Sequence, residues 1–265
     1  MAQIELSIII LNYHSAGLVK QCLRGILNNI TNINYEIIVV DNASHDNVIK
    51  LNTIYPQVKF IILEKNSGFA VGNNAGLKIA QGKYILILNP DIAVLTGSIE
   101  KMMNFLNQNE DVGMAVPQLL NPDHSIQYSV MRFPKWWLPL FRRTFLGSSK
   151  KAKKWLAWYI MEDWDHTTSR TIDWALGACM MVRAEALTQV GLLDEKYFLY
   201  VEDTDWCRRF WLRNWKISYV ADAQLIHYHM RESAEKFLSK LNFIHLISWF
   251  KYFWKFRNIY ITDKK

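Results

Sequence analysis

Cysteine is scarce in this chain, and the few present do not pair. Cys22, Cys179 and Cys207 are odd in number, widely separated and lack the spacing of a metal finger. That excludes a disulfide framework and a zinc ribbon, and a reduced, cytosolic compartment is the simplest reading. Residues 1–15 hold an apolar run, but they lack a basic flank and a small-residue cleavage site. The run is also too short to span a bilayer, so it reads as a first strand rather than a leader. Neither the P-loop pattern nor the GxGxxG dinucleotide fingerprint occurs, which removes those two routes to a nucleotide site.

What is present is apolar and, in places, basic. The 265 residues are 51% hydrophobic, enough for one large domain or one domain with a small appendage. The formal net charge is +7. The excess gathers in residues 135–154 and 236–265, while the first hundred residues are close to balanced. All eleven tryptophans follow residue 135. Cations interleaved with aromatic rings suit a membrane interface; a basic surface over an aromatic core is the plainer alternative. Charge alone also admits a nucleic-acid binder, which would show salt-sensitive binding to DNA or RNA. Nothing else in the sequence supports that reading.

The chain is organised around residues 84–91, YILILNPD, where an apolar run ends abruptly in an amide, a proline and a carboxylate. A strand apolar on both faces belongs in a parallel sheet covered by helices, and Asp91 then falls just past its carboxyl end, where open α/β sheets place ligands. Residues 6–11 and 36–40 repeat the pattern, the second ending at Asp41-Asn42, with Ser44 and Asp46 placed to cap the next helix. Residues 60–63 form a third strand. A stretch rich in glycine and asparagine, residues 66–76, then opens a helix, where close backbone approach to a diphosphate is feasible. Residues 121–172 read as an irregular insertion and 173–183 as one strand-like run. Residues 202–205, Glu-Asp-Thr-Asp, lie among aromatic residues that would desolvate a carboxylate and raise its pKa toward that of a general base. They equally complement a helix dipole. His227 and His229 share a face if the backbone is extended, a metal-ligand geometry that is more often incidental. Residues 234–260 form a helix too apolar for a solvated surface, either packed on the domain or laid on a membrane.

Taken together, SIIILNYH, IIVVDNAS, NSGFAVGNNAG, YILILNPD, DWALGACMMVR and VGLLDEKYFLYVEDTDWCRR resemble the inverting family 2 glycosyltransferases, especially their bacterial rhamnosyltransferase-like branch. The resemblance spans residues 6 to about 230. It implies an α/β GT-A fold, a Rossmann-like nucleotide-diphospho-sugar transferase whose mostly parallel central sheet is flanked by helices. Residues 1–230 would be the catalytic domain and 231–265 a basic, amphipathic helical extension. By the same resemblance Asp41 reads the nucleobase edge beside Asn12 and Tyr13, and Asn66, Gly68 and Asn74 pack against the nucleotide. Asp91 carries Mg²⁺ or Mn²⁺ with His227, Asp203 is the catalytic base, and Trp174, Gly177 and Glu202 line the sugar and acceptor pocket. Asn89 stands where the family usually has the first Asp of its DxD motif, so the metal loses one anionic ligand and leans on substrate phosphates. The implied donor is dTDP-rhamnose, with UDP- and GDP-sugars open. The implied acceptor is a glycan or lipid-linked glycan at the inner face of the cytoplasmic membrane. A nucleotidyltransferase would want a glycine-rich loop with a basic residue near the N-terminus, which LNYHSAGL does not supply.

Overall fold

The computed structural model describes residues 3–138, 149–228 and 240–258. β1 (Leu6–Asn12), α1 (Ala16–Asn29), β2 (Tyr35–Asp41) and, after a short 3₁₀ turn, β3 (Lys59–Ile62) open the chain. They are followed by α2 (Gly68–Leu77), β4 (Tyr84–Leu88), β5 (Ile92–Val94), α3 (Ser98–Gln108) and β6 (Val112–Leu120). Next come β7 (Val130–Met131), α4 (Lys150–Tyr159), β8 (Arg170–Thr171), β9 (Trp174–Ala175), β10 (Cys179–Arg183) and α5 (Ala184–Val190). The last described elements are α6 (Glu202–Leu212), β11 (Lys216–His227) and α7 (Lys240–Lys255).

The main sheet has nine strands, eight of them in the order β3-β2-β1-β4-β10-β6-β11-β5, with β8 added beside β11. β3, β2, β1, β4, β6 and β11 run one way; β10, β5 and β8 oppose them. The sheet is therefore mostly parallel, as expected. Its residues are apolar on both faces because both faces are covered. Leu6, Ile8 and Ile10 of β1 join one core with Val19, Cys22, Leu23 and Ile26 of α1. Ile9 points the other way and joins Ala70 and Leu77 of α2.

Three expectations change. The 173–183 run is two strands: β9 pairs with β7 in a separate two-stranded sheet, and β10 inserts antiparallel between β4 and β6. A turn at residues 176–178 separates them, the Leu176 N–H donating to Ser129 O. The insertion is not irregular throughout, because Ser149 caps α4, accepting from the Ala152 N–H at 3.2 Å, and Ala152 and Tyr159 are buried beneath it. The glycines of residues 66–76 serve mainly for packing: a Cβ on Gly72 or Gly76 would stand 2.4 or 2.6 Å from the side chains of Leu11 and Ile9. They let α2 lie close on β1. His229 and the first residues of the C-terminal helix candidate lie outside the described residues.

Candidate active site

Because β1, β2 and β4 are parallel, their carboxyl ends open on one edge, and Asn12 and Asp41 are register partners there. Asn12 organises the edge. Its Nδ2 donates to Asp41 Oδ1 at 2.8 Å and Ser44 Oγ at 2.8 Å, and its Oδ1 accepts from the Ser15 N–H at 3.1 Å. The Ser44 hydroxyl also donates to Asp41. Asp46 accepts from the Ala16 N–H at 2.9 Å, so it serves the start of α1 as well as its own turn. Tyr13 stands half-exposed at the rim, its ring beside His14.

The next loop is tied to this one by Asn42, a residue the sequence did not single out. Its Nδ2 donates to Asn66 Oδ1 at 2.9 Å and its Oδ1 accepts from the Ser67 N–H at 2.9 Å. Gly68 has φ +87° and lies directly under Phe198, where a Cβ would be 2.1 Å from the carbonyl oxygen. The adjacent Phe69 N–H donates to that same oxygen at 2.9 Å. The 66–69 loop and the segment leading to α6 are thus one packed unit.

Asp203 sits in the first turn of α6. Its Oδ2 accepts from the Gly177 N–H at 3.1 Å, and its Oδ1 accepts from the Thr204 N–H at 2.7 Å and the Thr204 hydroxyl at 3.2 Å. Burial pushes its pKa up to about 6, against the pull of the Thr204 and Gly177 hydrogen bonds. A Cβ at Gly177 would crowd the Phe69 ring at 3.2 Å, so this turn needs a glycine to bring its N–H to the carboxylate. Glu202 is buried, and burial together with the Asp203 charge drives its carboxyl well above the ordinary range. One of its oxygens, Oε2, has no hydrogen-bond partner.

The turn at residues 176–178 connects this carboxylate to the end of β4: the Asn89 N–H donates to Ala178 O at 2.8 Å. Two residues on, Asp91 Oδ2 lies 3.4 Å from His227 Nε2, while Asp91 Oδ1 is buried without a partner. His227 Nδ1 is 2.6 Å from Gln127 Oε1, and Gln127 Nε2 donates to Asn121 Oδ1 at 3.0 Å, which assigns the ring proton to Nδ1. His227 Nε2 is then the ring atom turned toward the Asp91 carboxylate. Together with the orphaned Asp91 oxygen, this donor set fits a divalent cation that draws its remaining ligands from substrate phosphate and water. Among the described residues no group of three or more His, Cys, Asp or Glu side chains is placed to hold a metal. Gln127 left no mark in the sequence, since it lies a hundred positions from His227 in the insertion.

Two expected site residues are committed elsewhere. Asn74 accepts from the Leu193 N–H at 3.1 Å and donates to Leu193 O at 2.9 Å and Glu195 at 3.0 Å, pinning α2 to the 191–195 loop. Its amide is engaged within the protein. Trp174 is buried, with its indole N–H on Arg132 O at 2.9 Å and its ring beside Tyr159. It packs in the core, while the Gly177 N–H is the group of this run that meets Asp203.

A parallel-edged α/β sheet with carboxylates, asparagines and a raised-pKa acid gathered at its rim defines a nucleotide-sugar-transferase class of site. The chain belongs to glycosyl transferase family 2, whose model matches residues 7–187. It is 27% identical over 209 residues to an N-acetylglucosaminyl-diphospho-decaprenol L-rhamnosyltransferase of Mycobacterium tuberculosis, covering 72% of this chain and 66% of that protein. The alignment thus spans just under two thirds of that relative's length. It is also 27% identical over 255 residues to the rhamnosyltransferase WbbL of Escherichia coli, covering 92% of this chain and 91% of the relative. Among solved structures, GalNAc-T7 with UDP, GalNAc and Mn²⁺ superposes with a TM-score of 0.69 at 14% identity, over 95% of this chain and 48% of that one. Staphylococcus aureus TarS superposes at 0.59 and 15% identity, over 84% and 60%. The fold is GT-A.

Proposed function

We propose that this chain transfers a sugar, with inversion, from a nucleotide-sugar donor to a hydroxyl of a glycan acceptor. Asp203 takes the proton of that hydroxyl as its oxygen forms a bond to the anomeric carbon. The bond from that carbon to the diphosphate oxygen breaks in the same displacement, and the single backside attack inverts the centre. A positioned base of this kind is worth roughly 10²- to 10⁴-fold. Asp91 and His227, the latter oriented by Gln127, would hold Mg²⁺ or Mn²⁺, and the ion would neutralise charge on the departing nucleoside diphosphate. Asp41, Asn12 and Tyr13 form the base-side wall, and Asn42, Asn66 and Gly68 the loop beside it. Asn89 contributes through its backbone, which positions the 176–178 turn. Glu202, whose carboxyl burial and the neighbouring Asp203 charge push well above the ordinary range, lies beside the base on the acceptor side in this reading. The observation that carries this reading is the 176–178 turn, which binds the Asp203 carboxylate with one residue and the end of the Asp91 strand with the next.

The donor we favour is dTDP-rhamnose, its sugar following the rhamnosyltransferase names of the M. tuberculosis and E. coli relatives, and the acceptor a lipid-linked glycan, following the diphospho-decaprenol in the name of the former. Work on a lipid-linked acceptor would bring the protein to the inner face of the cytoplasmic membrane. Two surface features support that placement. On α7, Phe243, Phe250 and Trp254 are 66%, 69% and 60% exposed, and with Ile247 they recur at i, i+4, i+7 and i+11, a single outward stripe. On α4, Lys150, Lys151, Lys153 and Lys154 are exposed in the first turns, where cations oppose the helix dipole and gain nothing from it. No described helix is long and apolar enough to cross a membrane, so binding would be interfacial.

The test is nucleoside-diphosphate release across a panel of dTDP-, UDP- and GDP-sugars, with Mg²⁺ and an N-acetylglucosaminyl-diphospho-lipid acceptor. Acceptor-dependent turnover of dTDP-rhamnose is expected. Turnover of another sugar nucleotide alone would reassign the donor, and no turnover of any would refute the transferase reading.

A further inference from the structure

The segment that delivers Asp203 is strained. Tyr200 and Val201, immediately before Glu202, both adopt positive φ, +70° and +72°. A β-branched residue in that region is an outlier, and two in succession persist only where the surroundings over-determine them. The surroundings are largely α7. Tyr197 and Val201 are buried in a cluster with Trp249, Tyr252 and Phe256, which fall on the face of α7 opposite the exposed stripe. The Ser248 hydroxyl donates to Leu199 O at 3.1 Å, Lys251 Nζ donates to Lys196 O at 2.6 Å, and the His245 ring lies 4.6 Å from that of Tyr200. At the far end, Lys255 Nζ donates to Asp194 at 2.7 Å and to Asp205 at 2.6 Å. It thereby joins the start of the strained loop to the helix that carries the base. On the other side the loop rests on Gly68 through Phe198.

We propose that the inner face of α7 is a clamp that positions the base, with Lys255 its key positioning residue. This rests on Asp203 being the base. Lys255 touches neither the reacting hydroxyl nor the sugar; it sets where the first turn of α6 begins. It also balances charge. Asp205 is wholly buried two residues from Asp203 and is met by Lys255, by Arg209 at 2.8 Å and by the Tyr197 hydroxyl at 3.3 Å. The ionisable groups packed around this turn are Glu202, Asp205, Cys207, Arg208 and Arg209 of α6, Asp194 and Tyr197 of the loop, and Lys255 and Tyr252 of α7. Removing the Lys255 ammonium leaves Asp205 to Arg209 and the Tyr197 hydroxyl, and adds negative potential at Asp203.

The experiment compares Lys255→Met, Lys255→Arg and Ser248→Ala with the parent in steady-state transfer from pH 5 to 8, with nucleotide Kd measured separately. For Lys255→Met we expect kcat to fall by about tenfold or more, since misplacing a catalytic group by about 1 Å costs about 10². Donor KM and nucleotide Kd should hold, and the acid limb of the rate profile should move to higher pH. Lys255→Arg should restore most of the rate. An unchanged kcat, or a loss shared equally by kcat and nucleotide affinity, overturns the clamp. Should Lys255→Met fail to fold, Ser248→Ala decides on the same criteria: a fall in kcat at constant nucleotide Kd supports the clamp, and an unchanged kcat overturns it. Asp203→Asn, run alongside, separates the two ideas: full activity there defeats the base assignment itself, whatever Lys255 does.

Discussion

Replacing Asp203 by Asn should make the protein inactive and, at neutral pH, more stable. The carboxyl moves from 3.8 in an unfolded chain to about 6 in the folded one, so ionising it costs the folded state about 3 kcal/mol. The sign follows from a raised acid. The penalty is absent below about pH 4, where both states are protonated, grows as the pH rises toward 6, and is constant above that. Asn escapes it but sets an amide against the Gly177 N–H, forfeiting a hydrogen bond worth about 1 kcal/mol. The net gain at pH 7.5 should be about 1–2 kcal/mol, vanishing or reversing near pH 4. Urea unfolding at both pH values reads this difference, while nucleoside-diphosphate release reads a loss of roughly 10²- to 10⁴-fold in transfer. In the parent, roughly a tenth of Asp203 is ionised at pH 5, so transfer there should be roughly tenfold slower than at pH 7. A variant that loses stability at pH 7.5, or loses nucleotide binding along with activity, would show that Asp203 is structural and refute the reasoning.

Asp91→Ala should remove the part of nucleotide affinity that depends on Mg²⁺ and leave the metal-free part; isothermal titration with and without the ion checks this. Gln127→Leu frees the His227 ring to rotate and should weaken metal affinity about 10- to 100-fold at unchanged fold, read by Mn²⁺ titration in the presence of nucleoside diphosphate. Gly68→Ala places a Cβ against the Phe198 carbonyl at positive φ and should destabilise by about 2–3 kcal/mol in denaturant unfolding.

Much of the fold was legible because buried parallel strands leave a strong local signal. Residues 8–11, 37–40 and 84–88 are unbroken apolar runs followed by polar residues, and each became part of a central strand. The 173–183 run misled because nothing local marks where one buried strand ends and another begins. The break at residues 176–178 is set by where Ser129, Asn89 and Asp203 lie in space. The lysine-rich start of α4 concealed a helix because its apolar positions, Ala152 and Tyr159, have meaning only against the core they meet.

For the site the division is similar. Asp91, His227, Asp203 and Gly68 stood out in the sequence because chemistry at a strand or helix end needs those residue types, and they fall within the resemblance over residues 6 to about 230. Asn74 and Trp174 matched equally well yet are engaged in hydrogen bonds within the protein, Asn42 lay in a matched block without being singled out, and Gln127 and Lys255 matched nothing. Residue type and order along the chain determine which strands form, where their ends fall and which acids can do chemistry. Which polar side chains remain available, and which distant groups hold the strained turn before the base, depends on non-local packing. Only the tertiary structure decides those, because a hydrogen-bonding group is spent or spared by whatever the fold brings within 3 Å of it.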